Sequence, residues 1–89
     1  MLMASGVKRG SRLSADESAA WLRKRMEELG ISGFEDLHKK TGIDRGSISR
    51  YFRQERTAGV DVIAPLCEAL EVSPETLLVA LGAIGRRGR

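Results

Sequence analysis

Residues 37–53 read Leu-His-Lys-Lys-Thr-Gly-Ile-Asp-Arg-Gly-Ser-Ile-Ser-Arg-Tyr-Phe-Arg, and this stretch decides the fold. Leu37 belongs to the inward side of a short helix, and Gly42 supplies the residue type that ends a helix in a left-handed turn. Asp44 is a cap for the helix that follows. Ile48, Tyr51 and Phe52 fall on one side of that helix, while Arg45, Ser49, Arg50 and Arg53 lie largely on the other. Two helices joined this tightly present the second as a rigid rod. A rod studded with arginine and small hydroxyls has the width and chemistry to enter a DNA major groove.

Working outward, each flank is helical too. Ser14-Ala-Asp-Glu17 is a capping box, which predicts a helix to about Leu29 with Ala19, Leu22, Met26 and Leu29 as its buried stripe and Gly30 as its stop. Trp21 lies off that stripe and faces either the last helix or an interface. Ser32-Gly-Phe-Glu35 repeats the Ser-x-x-Glu pattern and predicts a second helix with Ser32 as cap and Phe34 inward. Residues 56–59 are a loop. Val60 to Leu70 predicts a fourth helix with Ile63, Leu66, Cys67 and Leu70 inward. Pro65 sits awkwardly in it unless the helix starts near Asp61, and a start at Val60 predicts a kink. Ser73-Pro74-Glu75 starts a fifth helix, to about Leu81, ended by Gly82. The expectation is an all-α domain of five helices over 14–82, preceded by a basic arm (1–13) and followed by a basic tail (83–89).

Composition narrows the classes. Eighty-nine residues allow one small domain, and 42% hydrophobic residues suffice for one core. No apolar run spans a bilayer, the first residues lack a signal-peptide pattern, and the lone Cys67 has no partner for a disulfide or a metal pair, so a reducing cytoplasm fits. No metal and no cofactor is expected. His38 has no ligand at metal spacing and reads as a partly buried packing or hydrogen-bonding residue. The net charge of +3 is uneven: residues 14–82 hold nine Lys/Arg against twelve Asp/Glu, while Lys8, Arg9 and Arg12 precede them and Arg86, Arg87 and Arg89 follow. Residues 45–56 nevertheless carry four arginines against one carboxylate. An acidic body with one basic edge suits a polyanion reached from one side.

Residues 18–82 resemble the lambda-repressor-like, or XRE-type (Cro/CI-like), helix-turn-helix regulators of phages and bacteria. The resemblance rests on Leu37-x4-Gly42-Ile43-Asp44-Arg45-Gly46-Ser47-Ile48-Ser49-Arg50. It continues in Val60-x2-Ile63-x2-Leu66-Cys67-x-Ala69-Leu70-x-Val72-Ser73-Pro74-Glu75-x-Leu77. It implies five helices, the second and third gripping DNA. It places Arg45, Gly46, Ser49 and Arg50 toward bases or adjacent phosphates and Arg53 and Arg56 toward the backbone. Phe34 departs from the pattern, standing where many relatives have a Gln that braces a phosphate. His38 replaces the usual small residue of the second helix, which predicts packing on the third that is looser or shifted.

The residues support the same chemistry directly. The guanidinium fork matches the O6 and N7 acceptors of guanine, a pair worth about 1–3 kcal/mol in discrimination. Arg45 opens the third helix and Arg50 lies one turn on. Gly46 permits close approach to the sugar-phosphate wall, Ser47 and Ser49 donate to phosphate or base, and Lys39 and Lys40 add charge near the end of the second helix. Lys8, Arg9 and Arg12 form an arm of the kind that lies along a duplex or enters its minor groove. Relatives pair into homodimers on two-fold operators, and Leu77, Leu78, Val79, Leu81 and Ile84 offer a dimer surface. Three readings follow: a repressor binding double-stranded operator DNA, an antitoxin that binds its own operator and a protein toxin, or a protein-binding helical adaptor. No nucleophile–base pair, metal cluster or phosphate loop supports an enzyme.

Overall fold

The computed structural model describes residues 11–85, and these form five helices and no strand: α1 (Ala15–Leu29), α2 (Phe34–Thr41), α3 (Arg45–Phe52), α4 (Val60–Leu70) and α5 (Pro74–Ala80). The readings on Lys8, Arg9, Arg86, Arg87 and Arg89 fall outside the described residues.

Local chemistry sets most of the helix ends. Ser14 accepts from the Glu17 amide at 3.1 Å and Glu17 Oε1 accepts from the Ser14 amide at 2.8 Å, so the expected capping box closes α1. Ser73 caps α5 by accepting from the Thr76 amide at 3.1 Å, without a reciprocal bond to its own amide, and Pro74 holds the first helical position. The start of α2 differs from expectation. Gly33, not Ser32, is the cap residue and makes no side-chain cap bond. The Ser32 amide instead donates to Asp36 Oδ2 at 3.3 Å, so the chain turns one residue later. α4 begins at Val60 and continues through Pro65, whose missing N–H leaves the Asp61 carbonyl without its intrahelical donor.

One apolar core holds the five helices together. Leu22, Leu37, Ile48, Phe52, Leu66, Leu70 and Leu77 are essentially excluded from solvent. Leu81 is core as well, at 8% exposure. The sequence places it on a dimer surface, but at the C-cap of α5 its side chain packs into the interior. Leu77 is likewise fully buried. In α4 the deepest residues are Val62, Leu66 and Leu70, with Ile63 and Cys67 only half-buried. Trp21 is half-buried, and its ring stacks on Phe52 of α3 with centroids 6.1 Å apart and planes 5° off parallel.

Two polar latches complete the assembly. Arg25 of α1 donates from Nε to the Leu70 carbonyl at 2.8 Å and from Nη2 to the Glu71 carbonyl at 3.1 Å. It thereby places a cation on orphan carbonyls at the negative end of α4. Gln54, just past α3, donates from Nε2 to the Leu13 carbonyl and to the Ser18 hydroxyl, both at 2.9 Å.

Candidate nucleic-acid interface

α2 and α3 are joined by three residues, and every one is tied down. Gly42 takes the left-handed conformation at φ +76° and its amide donates to the His38 carbonyl at 2.7 Å. Thr41 Oγ1 donates to the Leu37 carbonyl at 2.8 Å and accepts from the Ile43 amide at 3.1 Å. His38 Nδ1 lies 2.9 Å from the Ile43 carbonyl, the geometry of an Nδ1–H donor. The imidazole therefore braces the turn. Leu37 of α2 and Ile48 of α3 are both at 0% exposure.

Asp44 then starts α3, its Oδ2 accepting from the Ser47 amide at 3.2 Å. Ile48, Tyr51 and Phe52 anchor the inner side of α3 in the core. On the outer side Arg45, Arg50 and Arg53 are exposed, with Gly46, Ser47 and Ser49 half-buried among them. Arg45 Nη1 is 3.2 Å from Glu35 of α2, but both side chains are more than half exposed, so the pair is weak. Arg53 pairs equally openly with Glu55 at 3.4 Å. Arg50 curls back over Gly46: a Cβ there would lie 3.3 Å from Arg50 Nη1 and 3.1 Å from Asp44 Oδ2. The missing side chain at Gly46 thus makes room for a neighbouring guanidinium within the protein itself.

Arg56 folds the α3–α4 connection onto the same side. Its guanidinium carbon stands 5.9 Å from the centre of the Tyr51 ring, and Nη1 donates to Ser47 Oγ at 3.2 Å. Lys39 and Lys40 are exposed in the last turn of α2, where cations also oppose the helix dipole. Arg12 is exposed and borders the cleft that Arg56 also lines, beside the end of α5. Four exposed arginines from residues 45–56 therefore lie around α3, Arg45 and Arg53 in open ion pairs, Arg50 folded over Gly46 and Arg56 over Tyr51 and Ser47, while Ile48, Tyr51 and Phe52 are fixed in the core.

Residues 21–81 match the family model described as a Cro/C1-type HTH DNA-binding domain, which is more than half of the chain. The chain belongs to the Cro/C1-type helix-turn-helix family. It is accordingly a DNA-binding regulator of the XRE/Cro-like kind. No curated protein and no solved structure matches it. The matched segment begins at Trp21 and ends at Leu81, so it takes in the braced turn, α3, the Arg56 connection and the two closing helices as one unit. No helix among the described residues is long and apolar enough to cross a membrane.

Sequence reasoning missed three parts of this Cro/C1-type architecture. The Gln54 and Arg25 latches join residues 36 to 46 apart, and nothing local to either residue signals its partner. The use of Gly46 as a seat for Arg50 was likewise unsignalled, although the i, i+4 spacing of these residues on a helix is compatible with it.

Proposed function

We propose that this Cro/C1-type protein is a sequence-specific repressor that inserts α3 into the major groove of an operator and thereby blocks promoter access in the cytoplasm. The observation that carries this reading is the exposure of Arg45, Arg50, Arg53 and Arg56 on and beside a helix anchored by Ile48, Tyr51 and Phe52. Arg45 and Arg50 are assigned to bases, guanine being the natural match for a guanidinium fork. Gly46, Ser47 and Ser49 line the close approach. Arg53, Arg56, Lys39, Lys40 and Arg12 meet phosphates, joined by Lys8 and Arg9 from the preceding segment. Two copies on a two-fold operator would place α3 helices in successive turns of one duplex face, about 34 Å apart.

The test is selection of bound sequences from a random double-stranded DNA pool at fixed salt. The expected result is an enriched, palindromic site whose half-sites are spaced by about one helical turn. A pool that shows no enrichment, with binding that tracks only salt concentration, would replace sequence-specific repression by non-specific coating.

A further inference from the structure

Arg56 is held more closely than a solvated loop arginine needs to be. The chain leaves α3 in a Schellman turn: the Gln54 amide donates to the Tyr51 carbonyl at 3.1 Å and the Glu55 amide to the Arg50 carbonyl at 2.9 Å, with Gln54 left-handed at φ +60°. Glycine is the usual occupant of that position. Here the Gln54 side chain is tied to Leu13 and to Ser18 of α1, which fixes the direction of the reversal. Just beyond it, the guanidinium of Arg56 lies back on α3, against the ring of the buried Tyr51 and the hydroxyl of Ser47. Arg45 and Arg53 face carboxylates, whereas Arg56 is held by a ring and a hydroxyl.

The bond to Ser47 has one possible polarity. A guanidinium donates and cannot accept, so Ser47 Oγ accepts from Arg56 Nη1 at 3.2 Å and the single hydroxyl hydrogen is left to point elsewhere. Within a helix, a serine can give that hydrogen to the carbonyl four residues back. For Ser47 this is the Ile43 carbonyl, which already accepts from His38 Nδ1 at 2.9 Å. Among the described residues no acceptor takes the Ser47 hydrogen. Ser47 is half-buried in the first turn of α3, the end of the helix that leads into the groove.

We propose that Arg56 is a positioning residue for sequence reading: it binds the oxygen of Ser47 and so leaves that hydroxyl to act as a donor to a base edge. The positive charge beside the oxygen also disfavours the approach of a second donor. The edge that Ser47 reads must then carry an acceptor. Guanine, adenine and thymine present one in the major groove, while cytosine presents only its amino donor, so cytosine is rejected at that position. This inference deepens the operator-binding reading and rests on it. The remaining N–H groups of Arg56 are free to meet a phosphate at the same time.

The test is a double-substitution cycle on Ser47→Ala and Arg56→Met in the full chain. Affinities are measured at one salt concentration for the selected operator and for its symmetric single-base variants. Neither side chain belongs to the core, so both variants should fold. Ser47→Ala should abolish the penalty for cytosine at one base position, a discrimination of about two- to tenfold, the worth of one hydrogen bond. Arg56→Met keeps an apolar stem against Tyr51 but has no donor. It should abolish the same preference at the same position although Ser47 is present. The double variant should lose no further discrimination there, a coupling that a cation acting on phosphate alone does not produce. An Arg56→Met chain that weakens on every site equally and keeps the Ser47-dependent preference would make Arg56 a phosphate contact only and overturn the proposal. Ser47→Ala without effect on any base preference would overturn it as well. Both of those results leave the operator-binding reading standing, whereas a random pool that yields no enriched site would end that reading and this inference with it.

Discussion

Replacing Gln54 isolates the polar latch between α1 and the end of α3. Gln54 sits at φ +60°, and its amide reaches the Leu13 carbonyl and the Ser18 hydroxyl, both at 2.9 Å. Ser18 is at 0% exposure, whereas the bond to Leu13 is at the surface. Gln54→Ala keeps the left-handed backbone but leaves a buried hydroxyl without its donor, a loss of about 1–3 kcal/mol, while water substitutes at Leu13. The expected destabilisation is about 2 kcal/mol, and at roughly 4–8 °C per kcal/mol for a domain of this size the melting temperature falls by about 8–16 °C. Gln54→Gly loses the same bonds but removes a left-handed penalty of about 1–2 kcal/mol, partly offset by about 0.5–1 kcal/mol of glycine backbone entropy. It should therefore be less destabilised than Gln54→Ala. Ser18→Ala combined with Gln54→Ala should cost less than the sum of the two, since the orphaned hydroxyl is gone. Urea and thermal unfolding of the four variants measure this. A Gln54→Ala chain that melts with the unsubstituted protein, or a glycine variant less stable than the alanine one, would refute the reasoning.

Two further substitutions probe other contacts. Arg25→Ala removes two charge-assisted bonds to the end of α4, and an expected loss of about 1–2 kcal/mol in urea unfolding should not be recovered by Arg25→Lys, because one ammonium cannot reproduce the fork spanning both carbonyls. Glu35→Gln releases Arg45 from an exposed pair and removes an anion from the neighbourhood of phosphate, so stability should move by less than about 0.5 kcal/mol while operator affinity rises about two- to fivefold at low salt; weaker binding by this variant would contradict the placement of Arg45.

The parts of this fold legible in the sequence are those whose causes are local. Ser14 with Glu17, and Ser73 with Pro74, carry both halves of their signal within four residues, and both caps form where expected. Ser32 shows how the same pattern misleads: Glu35 stands at the right spacing, yet Asp36 captures the Ser32 amide and the helix starts later. The bipartite character of α3 was readable because Ile48, Tyr51 and Phe52 repeat at helical spacing against four nearby arginines. What was not readable depends on distant partners. Trp21 meets Phe52, Gln54 meets Ser18, and Arg25 meets the end of α4, each through tertiary contact that no window of sequence contains. Leu81 misled for a related reason: apolar surplus on a terminal helix reads equally as interface or as closure, and its burial among the core residues makes it closure.

The most direct measurement of the central claim is the affinity of Arg45→Ala and Arg50→Ala for the selected operator and for unrelated DNA of equal length at one salt concentration. The account predicts a loss of about 1–3 kcal/mol on the operator, roughly 5- to 150-fold, for whichever of the two meets a base, with much smaller losses on unrelated DNA. Operator affinity and discrimination retained by both variants would place sequence reading somewhere other than α3.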